Sequence, residues 1–345
     1  MSEATSEITP TPGAFLSSGV RCTGWFYEPV EATSRGCVVM AHGFGASPDG
    51  PLGQVARRIA AAGTAAFAFD YRHFGASDGE PRDQLDMERQ LEDWHAAIAH
   101  VRERDDVDPD LIGLWGSSLS GGQVLCVAAR DHRIASVVAQ VPYTDGYSLA
   151  RAAGLRHLIR LTPAIARDAF QTATGRAPYM ISGIGPPGEA AAVTTRVADN
   201  YDSLVAGAPS WPNRINAGAM LQIYRFRPAA LAQQIRCPLL VVLSYRDHVA
   251  PADAAMRAAH GLPYIELALF PALHFELYSG ETFERAMSTE ISFFEHHFRR
   301  HPDDDPAWVN PSQQPHKQAS ARRRTGRVLR GAWHLGRSSG FAATE

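Results

Sequence analysis

An α/β fold on a mostly parallel sheet is predicted by three observations. Short apolar runs alternate with amphipathic helical patterns, the runs are bounded by Gly, Asp or Pro, and their spacing suits right-handed crossovers. The runs at residues 37–41, 64–70, 111–115 and 134–140 read as buried strands. Between the second and third, residues 83–104 set Met87, Leu91, Trp94, Ile98 and Val101 at steps of four and three, one stripe of a helix. The same grammar resumes after residue 236: a strand at 238–244, a helix at 252–260, a strand at 264–270, and a helix at 281–298 with Phe283, Met287, Ile291, Phe294 and Phe298 on one face.

Residues 19–142 and 236–300 are therefore expected to form the core. Residues 1–18, acidic and rich in turn formers, read as a flexible N-terminus. Residues 143–235 break the pattern with several prolines, the cluster GIGPPG and no convincing run of strands, and read as an inserted, mainly helical lid. Residues 301–345 lack apolar periodicity and read as a disordered basic tail with a short basic helix near 328–337.

Composition sets outer bounds. A chain of 345 residues, 45% apolar and 20% charged, can bury a sizeable core. Its net charge of −3 argues against nucleic acid as the main partner, since phosphate binding needs a basic field. No run reaches the ~18 to 20 apolar residues that span a bilayer, so integral membrane association is not expected. The start of the chain lacks the basic end and apolar stretch of a secretory signal, and a cytoplasmic address is expected. Weak surface binding by the tail is a rival to its being dispensable, because Arg322, Arg323, Arg324, Arg327 and Arg330 lie with Leu329 and Trp333. Cys22, Cys37, Cys126 and Cys237 are far apart without CxxC spacing, so buried reduced thiols are expected.

The chemistry centres on residues 111–122, LIGLWGSSLSGG. A buried strand runs into Gly116-Ser117-Ser118-Leu119-Ser120 and then into a helix of small residues, the pattern of a nucleophile elbow with Ser118 at its tip. Only small neighbours two residues to either side let such a turn close. Ser117 is the rival nucleophile if the register is off by one.

Upstream, His42, Gly43, Phe44 and Gly45 follow the first buried strand. Glycines there let backbone N–H groups point inward, and two such donors would hold the oxyanion of an acyl transfer; Phe44 and Leu119 are assigned to that task. A serine also needs a base and a carboxylate to orient it. His274, in FPALHFELYSG, comes after the final strand and before the last helix. Asp247, in LLVVLSYRDHVAP, comes three residues past a strand, and Asp145 in VPYTDG is its rival. His95 and His100 lie on a helix. His296, His297 and His301 sit at a helix end without metal-ligand spacing, so no metal is expected. Gly183, Gly185 and Gly188 match GxGxxG, but two prolines occupy the turn, and no cofactor is expected.

The segments HGFGAS, FDYRHFGASDGEPR, WGSSLSGG, SYRDHVAP and HFELYSGETFERA, in this order, resemble the α/β-hydrolase superfamily over about residues 19–299. The chain looks most like serine hydrolases grouped with the S33 and S15 peptidases and dienelactone-hydrolase-like proteins, a branch that includes thioesterase-like enzymes of polyketide pathways. The resemblance implies an α/β-hydrolase fold, a Ser118, Asp247, His274 triad, and a supporting loop of Asp70-Tyr71-Arg72 with Gly75, Ser77 and Gly79. Ser120 departs from it, standing where glycine is commoner. Serine in place of cysteine at 118 counts against dienelactone chemistry itself.

The expected function is hydrolysis of an ester, thioester or amide of a small-molecule acyl substrate through an acyl-enzyme. The alternatives are acyl transfer on the same triad and a catalytically silent binding scaffold. The lid carries nine arginines against five acidic residues. If Arg151, Arg156, Arg160, Arg167, Arg225 or Arg227 face the entrance, an anionic substrate would be attracted.

Overall fold

The computed structural model describes residues 8–44, 50–186, 188–194, 212–250, 252–259 and 264–299. An eight-stranded sheet runs in the order β1-β2-β4-β3-β5-β6-β10-β11. Strands β1 (Thr11–Ser17) and β2 (Val20–Tyr27) form an antiparallel hairpin, and β2 pairs antiparallel with β4 (Ala65–Phe69). From there β3 (Cys37–Ala41), β5 (Ile112–Ser117), β6 (Ile134–Gln140), β10 (Leu239–Ser244) and β11 (Ile265–Phe270) continue the sheet in parallel. Strands β3, β5 and β10 are buried along their whole length, as their unbroken apolar runs require.

Helices α1 (Pro51–Ala61), α2 (Met87–Arg102) and α3 (Leu119–Arg130) make the crossovers of the first half. Asp86 caps α2 by accepting from the N–H groups of Glu88 and Arg89, and the stripe of Met87, Leu91, Trp94, Ile98 and Val101 is buried. Helices α7 (Ala252–Ala259) and α8 (Gly280–Arg299) serve the second half. Phe283, Met287, Phe294 and Phe298 of α8 pack against Trp115, Val138 and Leu240 on one face of the sheet.

Two expectations are corrected. Residues 11–17, read as part of a flexible N-terminus, are an edge strand. The Ser18–Gly19 turn has positive φ at both residues, 47° and 83°, and a turn of that hand matches the twist of a hairpin. The lid holds helices α4 (Gly146–Ala153), α5 (Leu155–Ala173) and α6 (Ala219–Arg225), but also a three-stranded sheet of β7 (Met180–Gly185), β8 (Ala191–Thr194) and β9 (Arg214–Asn216) in the order β8-β7-β9. Asn213 holds it together: its side chain accepts from Ile184 N–H at 2.8 Å and donates to Ile184 O at 2.9 Å. Gly183 and Gly185 of the GxGxxG match lie on β7 and do not open a helix. The expected tail, residues 301–345, and its basic helix lie outside the described residues.

The chain crosses from β3 to β4 on one side and returns to β5 on the other, so the direction of winding reverses between β3 and β5. Ligands of open α/β sheets bind beyond the carboxyl ends of the strands at such a point. Ala41 and Gly116 are register partners there, placing the loop after Ala41 against the turn after Ser117.

Candidate active site

The turn between β5 and α3 puts Ser118 at φ 58° and ψ −118°, a conformation that costs a non-glycine residue about 1–3 kcal/mol. Its backbone is held firmly: Ser118 N–H donates to Gln140 O at 2.9 Å, and Ser118 O accepts from Tyr143 N–H at 2.8 Å and Gly122 N–H at 3.2 Å. Small residues are needed around it. A Cβ on Gly116 would meet the Ser120 backbone at 2.5 Å, and a Cβ on Gly43 would meet Ser117 O at 2.8 Å. Ser120 fits by using its hydroxyl, which accepts from Ser117 N–H at 2.9 Å and lies 2.9 Å from Ala41 O.

Beyond β10, the Asp247 carboxylate is fully engaged. Its Oδ1 accepts from Val249 N–H at 2.7 Å and Ala250 N–H at 2.8 Å, while Oδ2 lies 2.7 Å from Nδ1 of His274. Both side chains are buried. Donation of Nδ1–H to this carboxylate leaves Nε2 as the basic nitrogen. His274 opens a turn of 3-10 helix, His274–Tyr278, and Ser244 Oγ at the end of β10 donates to Ala272 O, tying the two loops together.

Ser118, Leu119, His274, His42, Gly43 and Phe44 line one cavity, with Asp247 behind His274. Gly45 lies outside the described residues. His42 is buried beside Tyr71, and burial pushes its imidazole down to about 4, so it is neutral in ordinary working conditions. Arg72 is not in the cavity. Its guanidinium binds Asp93 at 2.7 Å, Ser17 Oγ at 2.6 Å and Glu92 at 3.0 Å, joining the end of β1 to α2 beneath the site. The rivals have other employment. Asp145 caps α4 through Tyr147 N–H and Ser148 Oγ and pairs with Arg227, and Ser117 Oγ lies 2.6 Å from Tyr278 Oη.

Apart from Ser117, Tyr143 and Tyr278, the remainder of the cavity is apolar, including Leu52, Trp115, Leu149, Ile184, Met220 and Phe275. Among the described residues no Arg, Lys, Asp or Glu lines it. Arg167 and Arg176 stack on Tyr179 and Phe170, and Arg227 covers Tyr147. The cysteines are free and buried, and burial pushes each thiol up to about 12. No group of side chains among the described residues could hold a metal, and none of their helices is long and apolar enough to cross a membrane. Tyr278 and Gln140 escaped the sequence reading. The available signal for Tyr278 was its place one helical turn past His274.

The family model described as serine aminopeptidase, S33, matches residues 32–281. The chain is 36% identical to the quorum-quenching protein AidA of Acinetobacter baumannii (strain MDR-ZJ06), over 82% of this chain and 94% of that one. It is 26% identical to the thiohydrolase aneE of Aspergillus aculeatus, over 85% and 95%. In fold it matches the crystal structure of the α/β hydrolase GrgF from Penicillium sp. sh18, with a TM-score of 0.72, 22% identity and coverage of 84% and 99%.

Proposed function

The chain belongs to the serine aminopeptidase S33 family of α/β hydrolases, and from that premise we propose that it cleaves an ester or thioester through an acyl-enzyme on Ser118. The observation that carries this reading is the Asp247–His274 pair opening onto the same cavity as a serine held at φ 58°. His274 Nε2 takes the Ser118 proton as the oxygen attacks the carbonyl. Asp247 holds the imidazole in the required tautomer and stabilises the imidazolium. The N–H groups of Phe44 and Leu119 receive the oxyanion, the second aided by the N-terminus of α3. His274 then protonates the leaving group and activates water to release the acid.

The cavity supports an uncharged, apolar acyl group. An aminopeptidase must hold a free ammonium group, which calls for a carboxylate at the cavity wall, and none is present among the described residues. Amide cleavage next to a free amine is therefore disfavoured relative to esters and thioesters. AidA is named for quorum quenching and aneE as a thiohydrolase, which is in keeping with acyl substrates.

The test is labelling by a fluorophosphonate probe, followed by turnover of one acyl group presented as ester, thioester and anilide with chain length varied. Labelling at Ser118, and rates that rise with acyl length for ester and thioester, are expected. Failure to label would leave the binding scaffold as the reading. A preference for amino-acyl anilides would overturn the substrate class.

A further inference from the structure

Among the described residues, the mostly apolar cavity carries two groups of hydroxyls outside the proposed triad and oxyanion loop: Tyr143, whose hydroxyl already donates to Ile223 O at 3.2 Å, and a pair that faces each other. Ser117, the last residue of β5, and Tyr278, at the end of the turn that His274 begins, meet with 2.6 Å between Oγ and Oη. Both line the cavity, and the Tyr278 and His274 rings lie 6.2 Å apart. Gln140, at the end of β6, donates its amide N–H to Ser117 Oγ at 3.1 Å.

Counting protons shows what this cluster lacks. The two hydroxyls bring two protons, and the contact between them uses one. Gln140 also contacts Tyr278, and with its amide N–H groups turned toward the pair, the cluster supplies no acceptor for the other among the described residues. Burial pushes the Tyr278 phenol well up from its ordinary value, so it remains a protonated donor rather than a phenolate. A hydroxyl proton that faces an apolar cavity without a protein acceptor is free to donate, and a ligand oxygen placed there would receive that hydrogen bond.

We propose that the Ser117–Tyr278 pair is a substrate subsite, which donates one hydrogen bond to an acceptor oxygen carried by an otherwise apolar substrate close to its scissile carbonyl. The substrate class is thereby an acyl compound with an ether, keto or carbonyl oxygen within a few bonds of the reacting centre. This rests on the serine-hydrolase reading above. The acceptor belongs either to the acyl chain or to the leaving group, and the same chemistry serves both.

An oxygen walk tests it. One series of nitrophenyl esters takes octanoate as parent and exchanges successive methylenes for an ether oxygen. A second series keeps the octanoyl group and moves the ether oxygen along an alkyl alcohol. The wild-type protein is expected to show a maximum in kcat/KM, relative to the parent, of about tenfold at one oxygen position in one series, the discrimination a single hydrogen bond supplies. The series that shows it identifies the source.

Tyr278→Phe and Ser117→Ala should each flatten that maximum when every variant is normalised to its own parent ester. A purely structural role would lower parent and oxygen-bearing esters together and leave the ratio intact. A flat walk in the wild type, or a maximum that survives in both variants, overturns the subsite. Absence of fluorophosphonate labelling and of parent turnover in the wild type would instead overturn the catalytic reading on which the subsite stands.

Discussion

The indole N–H of Trp115 donates to Glu290 Oε2 at 2.8 Å, and both side chains are buried. Trp115 lines the cavity from β5, while Glu290 stands on α8, its other oxygen having no hydrogen-bond partner among the described residues. A carboxylate in this position would have a single donor to replace its hydration, so burial pushes Glu290 up to about 8. The fold therefore holds this acid in its neutral form.

A pH dependence with a definite sign follows. The unfolded chain releases the Glu290 proton near pH ~4.3 and the folded chain only near 8, so the folded state carries the extra proton in between. Its contribution to stability consequently falls as pH rises through that window. Glu290→Gln keeps an acceptor for Trp115 and cannot ionise. Melting temperatures of variant and wild type should be close at pH 5 and diverge by pH 8, with the variant higher by about 2 to 5 °C. A constant difference at both pH values would show that ionisation of Glu290 is not involved.

For the nucleophile, Ser118→Ala should abolish covalent labelling and lower kcat by ~10⁴ to 10⁶ without loss of fold, checked by circular dichroism. Ser117→Ala should still be labelled, because its hydroxyl is engaged with Tyr278 and Gln140. If Ser117→Ala is the variant that no longer labels, the elbow has been read one residue out.

The acid is tested the same way. Asp247→Asn leaves a side chain of the same shape but places an amide where Nδ1–H needs a carboxylate, and kcat should fall by ~10⁴ with KM little changed. Asp145→Asn should stay within a few-fold, since asparagine also caps a helix and the Arg227 pair it loses is partly exposed. Steady-state kinetics on one ester rank the two, and the reverse order would move the acid to the end of β6.

What was legible in the sequence is what local pattern encodes. Buried parallel strands appear as unbroken apolar runs, and the loop positions of Ser118, Asp247 and His274 follow from where those runs end. The β1–β2 hairpin escaped because Pro12 and Gly13 blur its alternation, and only residues such as Phe15 and Ser17 face inward. The lid sheet escaped for a different reason. Strands as short as Ala191–Thr194 and Arg214–Asn216 have no signature of their own and exist through pairing with β7. The Ser117–Tyr278 and Trp115–Glu290 contacts span 161 and 175 residues, distances at which single-chain spacing carries no information.

Ser120 allows the elbow itself to be tested through a matched pair of buried serines. Its hydroxyl accepts from Ser117 N–H and reaches Ala41 O, the last residue before the loop of His42, Gly43 and Phe44. It thus links the nucleophile turn to the proposed oxyanion donors. Ser120→Ala strands Ser117 N–H in a dry interior and should cost about 1–3 kcal/mol, with kcat reduced more than KM as the two loops loosen. Ser136 is equally buried, but its hydroxyl has no hydrogen-bond partner among the described residues. Removing an unsatisfied group relieves its desolvation, so Ser136→Ala should be neutral or stabilising. Denaturant unfolding of the two variants measures the contrast. Equal losses would mean that the Ser120 hydroxyl merely fills space, and that the link between elbow and oxyanion loop contributes nothing.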